Sequence, residues 1–169
     1  NYSDSNMHLS KNFTLAELTK SQTAERKGIN NTPNSEAIEN LKMLADNILQ
    51  PVRDEFGSFI VSSGYRCPEL SIAIGSSKTS QHCKGQAADF EVANVDNYLL
   101  AQWIRDNLVF DQLILECYTG GNTGWIHCSY VPDGRKETAL IGNPKAEDPR
   151  RNHCRRHDRL EQPPLHDLE

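Results

Sequence analysis

Between Ser35 and Phe56 the apolar residues Ile38, Leu41, Leu44, Ala45, Ile48, Leu49 and Val52 return every three or four positions. That period places them on one helical face and predicts the longest helix of the chain. Pro51 should kink or divide it near its end, and Gly57 should stop it. A second amphipathic helix is predicted in VDNYLLAQWIRDNLVF, with Leu99, Trp103, Ile104 and Leu108 among its apolar positions. A short helix is predicted at FTLAEL, where Thr14 and Glu17 have the spacing of a capping box. SQTAERKGINNTP reads as loop, and CPELSIAIGSSKT as loop or short helix.

Four segments alternate or run apolar over strand lengths: SFIVSSGYR, GQAADFEVA, DQLILECY and GWIHCSYV. TGGNTG, between the last two, has the composition of a hairpin turn. After Tyr130 the pattern fades. Residues 1–11 are expected to be a loose end, 12–143 the folded domain, and 144–169 a polar tail.

The 169 residues suffice for one domain. A net charge of −5 offers no broad cationic face for phosphates, so a nucleic-acid binder is not expected. No apolar run approaches the roughly 18 residues of a membrane span, and the N-terminus lacks the plan of a signal peptide. The five cysteines form no CxxC pair, which makes reduced thiols the default. His153, Cys154 and His157 have a spacing that could ligate a metal, though a solvated polar tail is the commoner meaning of such a run.

Alternation along a strand decides which side chains share a face. Asp89 lies with Ala87 and Glu91, His127 with Trp125 and Ser129, and Glu116 with Gln112, Ile114 and Tyr118. If these strands are neighbours, Asp89, Glu116 and His127 converge on one side of a sheet. His82 precedes its strand and can fold over the same side, because Gly85 permits the turn. Two imidazoles and a carboxylate make a three-ligand set for zinc that keeps a fourth position for water. Glu116 could then take that water's proton. The plainer alternative is a turn leading into a strand, with hydrogen-bonded histidines at its edge.

Ser80-Gln-His82-Cys-Lys-Gly85-Gln-Ala87-Ala-Asp89 matches the SxHxxGxAxD motif of the zinc D-Ala-D-Ala metallopeptidases, the family of D-Ala-D-Ala carboxypeptidases and phage endolysins. FTLAEL, NILQPVRDEFG, VSSGYRCPEL, FDQLILE and GWIHCSY extend the resemblance from about Asn12 to Tyr130. It implies an α+β fold like that shared with the hedgehog signalling domain: helices packed on one side of a small, mainly antiparallel sheet, with the metal on the other. It implies one zinc per chain held by His82, Asp89 and His127. Glu116 is the candidate general base, with Glu91, two residues beyond Asp89 on the same face, as runner-up. In several relatives the base stands three residues before the last histidine, a position held here by Gly124. The resemblance also places Arg66 near the substrate carboxylate or scissile carbonyl; the plainer alternative is a structural salt bridge. Ser80 either hydrogen-bonds the substrate backbone or ties down the turn before His82, and Trp125 is a candidate for substrate contact. Relatives carry Asn and a double Gly where LSIAIGSS stands here, a stretch expected to border the groove.

The implied function is a monomeric zinc peptidase. Its substrate would be peptidoglycan stem peptides, cut as a carboxypeptidase or a cell-wall endopeptidase. It would act on the wall from the periplasm or outside, or after release from the cytoplasm or carriage on a phage particle. The alternative is a zinc-bearing, non-catalytic binding module of the same fold.

Overall fold

The computed structural model describes residues 7–141 and the strand Glu161–Gln162. The chain opens with a small ladder, β1 (His8–Ser10) against β2 (Phe13–Thr14). Residues 8–10 belong to the segment expected to be loose, yet Leu9 is buried in the core, which anchors them. Thr14 and Glu17 form the expected capping box at the start of α1 (Leu15–Thr19). The segment read as loop contains a helix, α2 (Gln22–Lys27). The Ser21 side chain accepts from the Ala24 N–H at its start, and left-handed Gly28 ends it. Only Ala24 of α2 is buried, so the helix leaves no apolar period to read.

The long helix runs as predicted from Ser35 to Phe56, but in three pieces. α3 (Ser35–Leu44) passes into a π-helical turn (Ala45–Leu49) and then into α4 (Gln50–Phe56). In a regular helix the ring of Pro51 would collide with the carbonyl four residues back. The wide turn, in which the Gln50 N–H reaches the Ala45 carbonyl, precedes the proline and relieves that clash.

A six-stranded sheet follows. Its strands are β3 (Ile60–Ser63), β4 (Ala87–Glu91), β5 (Gln112–Glu116), β6 (Trp125–Ser129), β7 (Glu137–Ile141) and β8 (Glu161–Gln162), in spatial order β3-β4-β6-β5-β7-β8. Every pairing is antiparallel except β5 with β7. Two further helices are α5 (Pro68–Ala73) and α6 (Asn97–Asn107), and Gln81–Lys84 form a 3-10 turn. The fold is α+β, as expected. β7 lies where the apolar pattern faded, and β8 lies within the expected polar tail. The His153–Cys154–His157 spacing falls outside the described residues.

The two sheet faces differ in kind. Ala88, Phe90, Leu113, Leu115, Ile126 and Cys128 join the buried core with Leu41, Leu44, Ile48, Leu100 and Ile104 of the helices. The opposite face carries Asp89, Glu116 and His127. Burial of one large aliphatic side chain stabilises by about 1.5–3 kcal/mol, so this core holds the polar face in place. Cys67, Cys83 and Cys128 are free thiols. Cys117 is disulfide-bonded, which departs from the expectation of reduced thiols throughout.

Candidate metal centre and active site

β4 and β6 pair antiparallel with Asp89 directly opposite His127. The His127 Nδ1 lies 2.9 Å from Asp89 Oδ1. His82 reaches the same carboxylate oxygen from the 3-10 turn, its Nε2 at 3.3 Å. One ligand atom from each of the three residues falls within 4.8 Å of the others.

The turn that delivers His82 has identifiable causes. The Ser80 Oγ accepts from the His82 N–H at 3.2 Å. Gly85 closes the turn at φ +74°. A Cβ at Gly85 would lie 2.4 Å from the Ala37 carbonyl oxygen, so glycine also lets the turn press onto α3. The Asn40 Nδ2 donates to the Lys84 carbonyl at 2.9 Å, tying the two together.

The His82 ring is oriented from behind. Its Nδ1 is 2.7 Å from the Gly64 carbonyl oxygen. A carbonyl only accepts, so Nδ1 carries a proton there, and Nε2 is the ring nitrogen that faces Asp89. A backbone partner of this kind is what orients metal-ligating histidines. The three groups, at so short a spacing, can share one cation. Burial opposes the charged form of His127, but the hydrogen bond to Asp89 and its charge raise the His127 pKa above the ordinary imidazole value. Burial likewise opposes the Asp89 charge, and the two imidazoles overcome it, holding the carboxyl well below the usual range. Two nitrogens and one oxygen suit zinc.

His82, Asp89 and His127 open into a cavity of about 220 Å³ whose wall also includes Arg66, Ser80 and Glu116. Ile74, Gly75 and Ser76 complete it, so the divergent LSIAIGSS stretch borders the site as expected. Trp125 sits opposite Glu116 in the β5–β6 register and is not among the residues lining the cavity. Glu91 is exposed at the end of β4 and does not line it either. Cys128 is buried on the core face, and burial raises its thiol pKa far above normal. The Cys83 thiol is directed at the Ser77 carbonyl, 3.7 Å away, rather than at the three ligands.

Arg66 is held close by its neighbours. Its backbone N–H donates to the His82 carbonyl at 3.1 Å. Its Nη1 donates to Ser63 Oγ at 3.3 Å, while its buried Nε has no hydrogen-bond partner among the described residues. Burial lowers the Arg66 pKa, and the charges of Asp89 and Glu116 act the other way. The guanidinium therefore keeps unspent donor capacity beside the metal ligands.

Gly124, three residues before His127, has no room for a side chain. It is buried at φ +70°, and a Cβ there would lie 2.1 Å from the Glu116 carbonyl oxygen. No side chain fits at 124 with this hairpin. Glu116, on the neighbouring strand, is the carboxylate that reaches the cavity.

Three supports were not read from the sequence. Asn31 donates to the Thr19 and Tyr65 carbonyls and accepts from the Cys67 N–H, so it clamps the segment carrying Arg66. Gly64 contributes only a carbonyl. Asp111, the residue just before β5, is buried and accepts from Gln81 Nε2 at 2.9 Å and from Arg135 Nη2 at 2.8 Å. It thereby ties the residue before His82 to the β6–β7 connection. The Arg135 hydrogen bonds lower the Asp111 pKa to about 2.

A histidine–aspartate–histidine set beside a carboxylate and a guanidinium, on the sheet face opposite the helical core, is the arrangement of a metal-dependent peptidase. Residues 11–129 match the Peptidase M15 family, and the chain belongs to that family. No curated protein matches it.

Proposed function

We propose that the chain is a zinc-dependent peptidase of peptidoglycan stem peptides, acting as a D-Ala-D-Ala carboxypeptidase or as a cell-wall endopeptidase. The observation that carries this reading is the meeting of His82, Asp89 and His127 with Glu116 and Arg66 around one cavity, in a family that is zinc-dependent. Zinc held by the three ligands would polarise the scissile carbonyl and acidify a water.

The protein's own residues supply the rest. Glu116 accepts the proton released as water attacks and returns it to the departing amine; general acid–base help of this kind contributes about 10²–10⁴-fold. Arg66 offers its planar donors to a peptide carbonyl or a terminal carboxylate. Ser80 holds the His82 turn and faces the substrate. A Glu116 that reaches the cavity favours an enzyme over a binding module of the same fold.

The test measures zinc content and peptidoglycan digestion together, for wild type and Glu116→Ala, with mass spectrometry of released fragments. One zinc in both proteins, with fragments from wild type alone, supports the reading and identifies the bond. Zinc-loaded wild type that leaves peptidoglycan and D-Ala-D-Ala peptides intact overturns it.

A further inference from the structure

The catalytic cavity, at about 220 Å³, is smaller than the ~300–1,000 Å³ usual for ligand sites. A second cavity of about 450 Å³ adjoins it. The two share Arg66 and Ile74, so the guanidinium stands at their junction rather than at a closed end.

The second cavity runs beside β3, the edge strand of the sheet. Its floor includes the buried residues Val61, Tyr65 and Leu70. Ile60 and Ile74 line it as well and are 83% and 44% exposed, so they add accessible apolar surface to its wall. Lys20 stands on its rim as an exposed cation. An edge strand, an apolar floor and one cation describe a place for an extended peptide that carries a carboxylate. Four residues of β3 span about 13 Å at roughly 3.3 Å each.

We propose that this cavity is the second half of the substrate groove. It seats a carboxylate-bearing stretch of peptide laid along the outer edge of β3, with the carboxylate at Lys20. The enzyme then recognises peptides of about four residues or more, the number that β3 can flank, rather than a bare terminal dipeptide. This rests on the peptidase reading and deepens it.

Lys20→Glu and Ile60→Asp alter exposed side chains and leave the core intact. Two probes are compared: acetyl-D-Ala-D-Ala, and a full peptidoglycan stem pentapeptide. For the pentapeptide, each variant should raise KM about tenfold with kcat unchanged. For the short probe, neither variant should change kcat/KM. Pentapeptide kinetics that are the same in wild type and both variants overturn the proposal.

Calorimetry with zinc-loaded Glu116→Gln separates the groove from the chemistry. Adding Lys20→Glu to that protein should weaken pentapeptide binding about tenfold, and unchanged affinity overturns the proposal. Lys20-sensitive binding combined with a wild type that cuts neither probe supports the groove and overturns the peptidase reading instead.

Discussion

The Gly64 carbonyl oxygen lies 2.7 Å from Nδ1 of His82, and a Cβ at Gly64 would lie 2.4 Å from the Leu18 carbonyl oxygen. The residue that orients a metal ligand is thus itself wedged against α1. The Tyr65 N–H, one residue on, donates to that same Leu18 carbonyl at 2.7 Å.

Gly64→Ala should therefore act on metal binding as well as on stability. Displacing the carbonyl frees the His82 ring, and loss of such an outer partner typically weakens metal affinity by about 10–100-fold. Zinc titration against a competing chelator, on variant protein shown by circular dichroism to be folded, checks this. Unchanged affinity in a folded variant would mean that the Gly64 contact is dispensable.

Glu116→Gln keeps the shape of the side chain and removes its basicity. Peptide hydrolysis should fall by about 10²–10⁴-fold, with one zinc retained per chain. Glu91→Gln should change activity little, because Glu91 lies outside the cavity. Parallel kinetics of the two variants decide between the carboxylates.

Asp111 should leave a signature in acid. Its carboxyl is lowered from 3.8 to about 2 by Arg135 and, more weakly, Gln81. A folded-state pKa below the unfolded one adds stability that is full above the unfolded value. It is lost as pH falls from about 4 towards 2. Asp111→Asn should be less stable than wild type by about 1–3 kcal/mol at pH 7, allowing for the exposure of Arg135. The gap should narrow through that acid window. Urea melts at pH 7, 4 and 2.5 measure it, and a gap independent of pH would show that Asp111 contributes no charge-dependent stability.

Chelation should lower the melting temperature reversibly. Zinc at a hundredfold excess over its Kd stabilises the bound state by about 2.7 kcal/mol. The shift should vanish in Asp89→Ala, which lacks the carboxylate that both imidazoles address. A chelator-induced shift that persists in that variant would place the metal elsewhere.

Much of the site was legible from alternation alone, because Asp89, Glu116 and His127 each fall on a defined strand face. What alternation does not encode is register. Asp89 faces His127 only because β4 and β6 pair as they do, and that choice belongs to the whole sheet. Arg66 was legible only through resemblance, since a lone arginine after a glycine has no pattern of its own. Gly64 reads only as a glycine that lets the chain leave a strand sharply; the use of its carbonyl is not legible, because every residue carries one and its partner lies 18 residues away. Asn31 looked like ordinary turn chemistry. β7 was missed because Thr138 and Leu140 are its buried residues, too mixed a pair to register as apolar.

Gly124 also limits what this enzyme can become. A glutamate at 124 would have to occupy space already held by the Glu116 backbone. Moving the carboxylate from one position to the other therefore takes more than a pair of side-chain exchanges. The β5–β6 hairpin must first be rebuilt, and during that rebuilding neither glutamate has a settled place. On the proposed reading of Glu116 as base, the two addresses for it are separate valleys, and a single substitution does not cross the ridge between them.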